Sequence, residues 1–152
     1  MPKREVADIQ ELKALVGQEV AVGDWLEITQ ERINQFADAT DDHQWIHVDP
    51  ERAANGPFGG TIAHGLLTLS LLPHFTRQLY TVDNIAMAIN YGYNKVRFLT
   101  PVRVGSKIRA RAEIAKVDQL DGAVQATVTV TVEIDGSAKP AAVAESIVRF
   151  IG

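Results

Sequence analysis

IAHGLLTLSLLPHFTRQLY, residues 62–80, is apolar on nearly every side of a helical wheel, which predicts a helix surrounded by protein. Pro73 lacks an N–H and crowds the preceding turn, so a kink or break is expected between Leu69 and Leu72. Past this helix the hydrophobic period changes from helical to alternating. Between Lys107 and Val117, Ile108, Ala110, Ala112 and Ile114 alternate with Arg109, Arg111 and Glu113, the mark of a half-buried strand. From Val124 to Glu133 the alternation is cleaner, with valines and alanine set against Gln125, Thr127, Thr129, Thr131 and Glu133. Asp121-Gly122 and Asp135-Gly136 stand on either side, and such steps between alternating runs signal hairpins. Residues 107–151 therefore read as a three-stranded antiparallel meander. Ile85 to Phe98 reads as a fourth strand, bulged at Gly92, with Pro101 and Gly105 in the connection that follows. A long buried helix ahead of a twisted antiparallel sheet that can wrap it is an α+β arrangement.

Before this helix, Ile9, Leu12 and Leu15 fall at helical spacing and predict a short amphipathic helix ending at Gly17. Glu19 to Glu27 reads as extended. A second helix is expected over Gln30–Ala39, capped by Thr29 and burying Ile33, Phe36 and Ala37. Residues 40–60 are polar and rich in glycine and proline, and read as a loop with one helical turn near Pro50–Ala54. Loops beyond roughly 12–15 residues are usually functional or disordered, and Trp45, Ile46 and Phe58 argue against disorder here.

The chain has 152 residues, 46% of them hydrophobic, which fits one domain over residues 1–152 with a sizeable core. It has no cysteine, so thiolate chemistry, disulfides and cysteine-ligated zinc are excluded. A net charge of −4 leaves no basic footprint for nucleic acid or an anionic membrane. No segment reaches the roughly 18 apolar residues of a membrane span, and the charged start MPKRE does not read as a signal peptide. A cytoplasmic protein is the expectation.

Chemistry concentrates in DDHQWIHVDPERAANGPFGGTIAHG, residues 41–65. If a turn brings Asp42 and His47 together, the carboxylate and the imidazole can hold a water between them and move its proton to and from a neighbouring carbon. D-x4-H is a weak pattern, and from the spacing alone Asp42 as a turn cap and His47 as a loop histidine are the favoured reading. Gly65 opens the apolar helix, and an N–H in a first helical turn has no intrahelical partner, so it can meet a developing oxyanion. Gly65 also fits a close packing contact, and His64 a buried hydrogen-bonding residue. His43, His47 and His64 with Asp42 or Asp49 are metal-ligand types, but no HxH or HxxxH spacing joins them, so neither metal nor cofactor is expected. Asn94, Lys95 and Arg97 in NYGYNKVRF could meet a phosphate-bearing ligand or simply form a solvated strand face.

With these residues in view, the chain resembles the MaoC-like, (R)-specific enoyl-CoA hydratases, including the nodulation-protein-N-like branch, whose layout is the hotdog fold. The family's F-x-x-x-S/T-G-D-x-N-P-I/L-H element followed by D-x-x-x-A is matched by Phe36, Thr40, Asp42, Ile46, His47, Asp49 and Ala53, and its I-A/V-H-G element by Ile62–Gly65. Asp41 stands in place of the usual glycine, Gln44 of asparagine and Trp45 of proline. Pro73 occupies the position of a serine found in some bacterial members, so that serine is not carried over. The resemblance implies hydration of a trans-2-enoyl thioester to a (3R)-3-hydroxyacyl thioester. Asp42 and His47 would handle water and protons, and the Gly65 N–H would hold the carbonyl. It implies an acyl-CoA substrate, a homodimer, no cofactor, and substrate contacts from Gln44, Trp45, Phe58, His64, Leu66, Asn94, Lys95 and Arg97, with Leu69 as a further lining residue. A thioesterase on the same fold and a non-catalytic acyl-thioester binder are the rival readings.

Overall fold

The computed structural model describes residues 2–152, with fourteen helices and strands in chain order. They are β1 (Arg4–Val6), α1 (Ile9–Ala14), β2 (Glu19–Val22), β3 (Leu26–Glu27), α2 (Gln30–Thr40), α3 (Trp45–Val48) and α4 (Pro50–Ala54). There follow α5 (Gly65–Ser70), α6 (Leu72–Leu79), β4 (Tyr80–Val82), β5 (Met87–Phe98), β6 (Lys107–Leu120), β7 (Ala123–Ile134) and β8 (Ala142–Ile151). The main sheet is antiparallel and runs β2-β6-β7-β8-β5, with β3 also paired to β6. β6, β7 and β8 are the expected meander, and Gly122 and Gly136 take the positive φ that their turns require. β5 pairs with β8, and its register slips between Asn90 and Gly92, where the sequence predicts a bulge.

The expected long helix is two helices. Leu71 ends α5, and Pro73 sits in the first turn of α6, where its missing N–H leaves no bond unmade. The inner face of the sheet presents Ile108, Ala110, Ala112, Val128, Val130, Ala142 and Ala144 to a cluster containing Leu67, Leu71, Leu72, Phe75 and Leu79. Alanines at these strand positions let the helices lie close to the sheet. Complete burial of a side chain such as Phe75 or Leu79 contributes roughly 1.5–3 kcal/mol of transfer free energy. One side of α5 departs from the expectation of burial all round, since Leu66 is 59% exposed. That side looks away from the sheet, so its apolar character is not absorbed by the core.

Three features lie outside the sequence reading. β1 pairs in parallel with β4, α3 forms a single turn within the expected loop, and Asp41 ends α2 in the left-handed region at φ 59°. The last explains why glycine would suit this position: a left-handed residue reverses the chain after a helix, and a Cβ strains it. Asp41→Gly should therefore raise stability by roughly 0.5–1 kcal/mol, read as a thermal midpoint about 1–4 °C higher. An unchanged or lower midpoint would contradict the strain argument.

Candidate active site

Three segments converge on Asp42, His47 and His64. Asp42 follows the left-handed cap of α2 and anchors its N–H on the Ala37 carbonyl at 3.1 Å. His47 stands on the one-turn helix α3, closed by its own N–H to Gln44 at 3.0 Å. The Gln30 amide on α2 donates to the His47 carbonyl at 2.8 Å and accepts from the Thr61 hydroxyl, so the long loop is tied at both ends to α2. Ile62 N–H to Ile46 and Ala63 N–H to Val102 then deliver His64 and Gly65 to the same place.

His47 is 7% exposed and its Nδ1 lies 2.7 Å from the Ile62 carbonyl. A carbonyl only accepts, so Nδ1 carries the proton and Nε2 presents its lone pair. The same logic puts the proton of His64 on Nε2, which donates to the Asp42 carbonyl at 3.0 Å. The Asp42 side chain is 52% exposed, which leaves its carboxylate reachable. Ligand-type atoms of Asp42, His47 and His64 lie within 4.8 Å of one another. That separation suits one water molecule held by a carboxylate and an imidazole together.

The same three residues are metal-ligand types, and their geometry fits an ion poorly. The His47 and His64 rings stack at 3.8 Å with planes 21° apart. Their in-plane lone pairs therefore run nearly side by side and do not converge at the roughly 2.0–2.1 Å that imidazole coordination needs.

Burial pushes His47 below its ordinary pKa of 6.5 and the neighbouring His64 adds to this, while the Ile62 bond and the Asp42 charge oppose it. The imidazole is thus neutral and basic at neutral pH. Because the folded value is depressed, the unfolded chain binds the proton more readily between that value and 6.5. This contribution to stability is complete above 6.5 and is lost as pH falls through the folded value. Equilibrium unfolding measured downward from neutral pH should show stability falling over this window, and His47→Gln should reduce the slope. An equal slope in both proteins would overturn the assignment.

Gly65 is the first residue of α5. His64 caps the helix with its carbonyl alone, accepting from Leu67 and Thr68, so the Gly65 N–H has no acceptor within the helix. Gly65 also lines a cavity of about 390 Å³ with Ile62, Ala63, Thr68, Phe98 and Ala141 among its walls. A Cβ on Gly65 would stand 3.1 Å from the Phe98 ring, so glycine allows that ring to lie over the helix start.

The other sequence candidates are dispersed. Trp45 is half-buried under the Arg52 guanidinium and against Gly56, Phe58 is half-buried, and neither lines the cavity. Gln44 caps α3 through its backbone and is exposed, and Leu66 stands beside Gly65 facing outward. Lys95 and Arg97 border a separate depression of about 320 Å³ with Thr129, Val143 and Glu145, where Asn94 donates to Glu145 at 2.9 Å. His43 pairs with Asp38 on the surface at 2.9 Å, away from this convergence. Phe98, Thr68, Val102 and Ala141 are cavity residues that the sequence reading passes over. The last two sit in connections with no local motif to mark them.

Comparison with known proteins gives the family and the fold. The MaoC like domain matches residues 11–136. The chain is 60% identical over 149 residues to 3-hydroxyacyl-thioester dehydratase Z of Mycobacterium tuberculosis, covering 97% of this chain and 99% of the relative. It is 45% identical to nodulation protein N of Rhizobium meliloti, covering 91% and 88%. Among solved structures, the (R)-hydratase from A. caviae involved in PHA biosynthesis superposes with a TM-score of 0.71 at 26% identity, covering 88% of this chain and 94% of that one. The hotdog architecture is thereby shared, and the chain belongs to the MaoC-like domain family.

Proposed function

We propose that this protein is an (R)-specific enoyl-thioester hydratase, acting equally as a 3-hydroxyacyl-thioester dehydratase in reverse. The observation that carries the reading is the convergence of the Asp42 carboxylate and the His47 imidazole with His64, whose chain neighbour Gly65 presents an unpartnered N–H at the wall of a mainly apolar cavity. The dehydratase name of the 60% identical relative supports the same reaction.

In hydration, the thioester carbonyl accepts the Gly65 N–H, which stabilises the enolate as it forms. Asp42 and His47 hold the water opposite C3. His47 Nε2 takes a proton as the oxygen bonds to C3, and a proton is returned to C2, so one water adds across the double bond and none is left over. Asp42 orients the water and its charge favours the imidazolium that forms in passing. The acyl chain lies in the cavity beside Gly65, under the Phe98 ring. Lys95, Arg97 and Asn94 meet the phosphates of an acyl-CoA.

β5 supports a homodimer. One edge pairs with β8, and the strand is exposed along nearly its whole length, with Met87, Ile89, Tyr91 and Tyr93 among the exposed large apolar residues. An open apolar edge is a template for another strand, and a second copy would extend the sheet there by two-fold symmetry. Light scattering should give twice 16.6 kDa, and Ile89→Lys with Tyr93→Glu should shift it to one copy. A monomeric wild-type protein would overturn this. Among the described residues no helix is long and apolar enough to cross a membrane. With a CoA-linked fatty acyl substrate, the cytoplasm is the compartment we assign.

The test is to incubate the protein with trans-2-enoyl-CoAs of increasing chain length while following loss of the enoyl group and release of free thiol. Hydration without thiol release is expected. Thiol release without hydration would point to a thioesterase, and binding with neither to a non-catalytic acyl-thioester module.

A further inference from the structure

We propose that His64 is a positioning residue that holds the three parts of the site in register, acting through Asp42 and His47 rather than on the substrate; the inference rests on the hydration reading above. Its Nε2–H donates to the Asp42 carbonyl at 3.0 Å and lies 4.0 Å from the Asp42 carboxylate. Its ring stacks on His47 at 3.8 Å, while Phe36 from α2 packs against it at 4.9 Å. It also directly precedes Gly65, so a shift of its backbone moves the Gly65 N–H. The carboxylate, the imidazole and the N–H come from three segments, and one side chain touches or adjoins all of them.

The cost of this arrangement is visible. His64 is 3% exposed and its Nδ1 is buried without a hydrogen-bond partner. Unpaired buried polar atoms are rare because they lose their hydration and gain nothing. If this position served packing alone, a phenyl ring of similar shape would do so without the orphaned nitrogen. A histidine is explained by what its other nitrogen does, which is to fix Asp42. The titratable groups facing His64 are Asp42 and His47, and the face that α2 presents is the apolar Phe36. The neighbouring His64 is one cause of the lowered His47 pKa, so replacing it should let His47 hold a proton to higher pH.

Two variants separate positioning from packing. His64→Phe keeps the ring and its stacking and removes the donor, whereas His64→Gln can place an amide nitrogen close to where Nε2 stands. With trans-2-enoyl-CoA as substrate, His64→Phe should lose at least about tenfold in kcat with KM within about threefold, as expected when a reacting group is slightly misplaced. His64→Gln should recover most of that loss. In both, the acid limb of kcat/KM should move to higher pH. Wild-type kcat in His64→Phe, or equal losses in both variants with an unmoved acid limb, would overturn the proposal. If His64→Phe does not melt cooperatively, His64→Gln decides: a shifted limb with near-wild-type kcat supports positioning, and an unmoved limb overturns it. Loss in Asp42→Asn without loss in His64→Phe would remove this inference alone. Full activity in Asp42→Asn would remove the role of Asp42 and this inference with it, and no hydration by the wild-type protein would remove the hydration reading.

Discussion

Asp42→Asn and His47→Gln should each lower the rate of enoyl-CoA hydration by at least about 10²-fold while leaving the thermal midpoint near that of the wild type. The size follows from losing a general acid or base, typically 10²–10⁴-fold. Asn keeps the shape of Asp42 and can still hydrogen-bond a water, but it carries no negative charge to favour an imidazolium nearby. Gln at position 47 can reach the Ile62 carbonyl with its amide but has no basic nitrogen to take a proton. Neither change opens a cavity: Asp42 is half-exposed, and Gln fills much of the space of His47. The effects should also be far from additive, because two groups that hold one water fail as a unit. The double variant should therefore be little slower than the worse of the two single ones. Multiplied losses would mean that the two residues act in separate steps.

Gly65→Pro should be slower than Gly65→Ala by at least about 10²-fold, the loss typical of one oxyanion donor. This pair isolates the N–H. Both variants add a Cβ that must displace the half-exposed Phe98 ring, now 3.1 Å from that position, so the crowding is common to both. Only proline removes the hydrogen. The backbone tolerates it, because Gly65 is the first residue of α5, where proline is favoured, and His64 has the extended conformation, φ −60° and ψ 138°, that a residue before proline prefers. The loss should fall on kcat more than on KM, since the bond strengthens as the carbonyl acquires enolate charge. Equal rates in the alanine and proline variants would mean that the carbonyl is held elsewhere.

Much of this was legible from local pattern. Alternation in 107–117 and 124–133, punctuated by two Asp-Gly steps, specifies the meander because strand period and turn chemistry agree. Pro73 marks the break between α5 and α6 for a local steric reason. Other features depend on residues distant in sequence. The three-residue strands β1 and β4 carry no readable period, and only the fold makes them neighbours. Exposed Leu66 reads as core because an apolar residue looks the same whether it faces a core or an open surface. Asp42, His47 and Gly65 stand out by residue type and motif. The stacking of His64 on His47 does not, because it arises where the chain returns after the long loop. Val102 and Ala141 join the cavity in the same way, from the β5–β6 and β7–β8 connections, which meet at one end of the sheet.

The most direct test of the central claim is the identity and handedness of the product formed from crotonyl-CoA. The reading requires a gain of one water with the thioester intact and (3R)-3-hydroxybutyryl-CoA as the product, and the same enzyme should dehydrate the 3R but not the 3S compound. Free CoA with crotonate, or a 3S product, would contradict it.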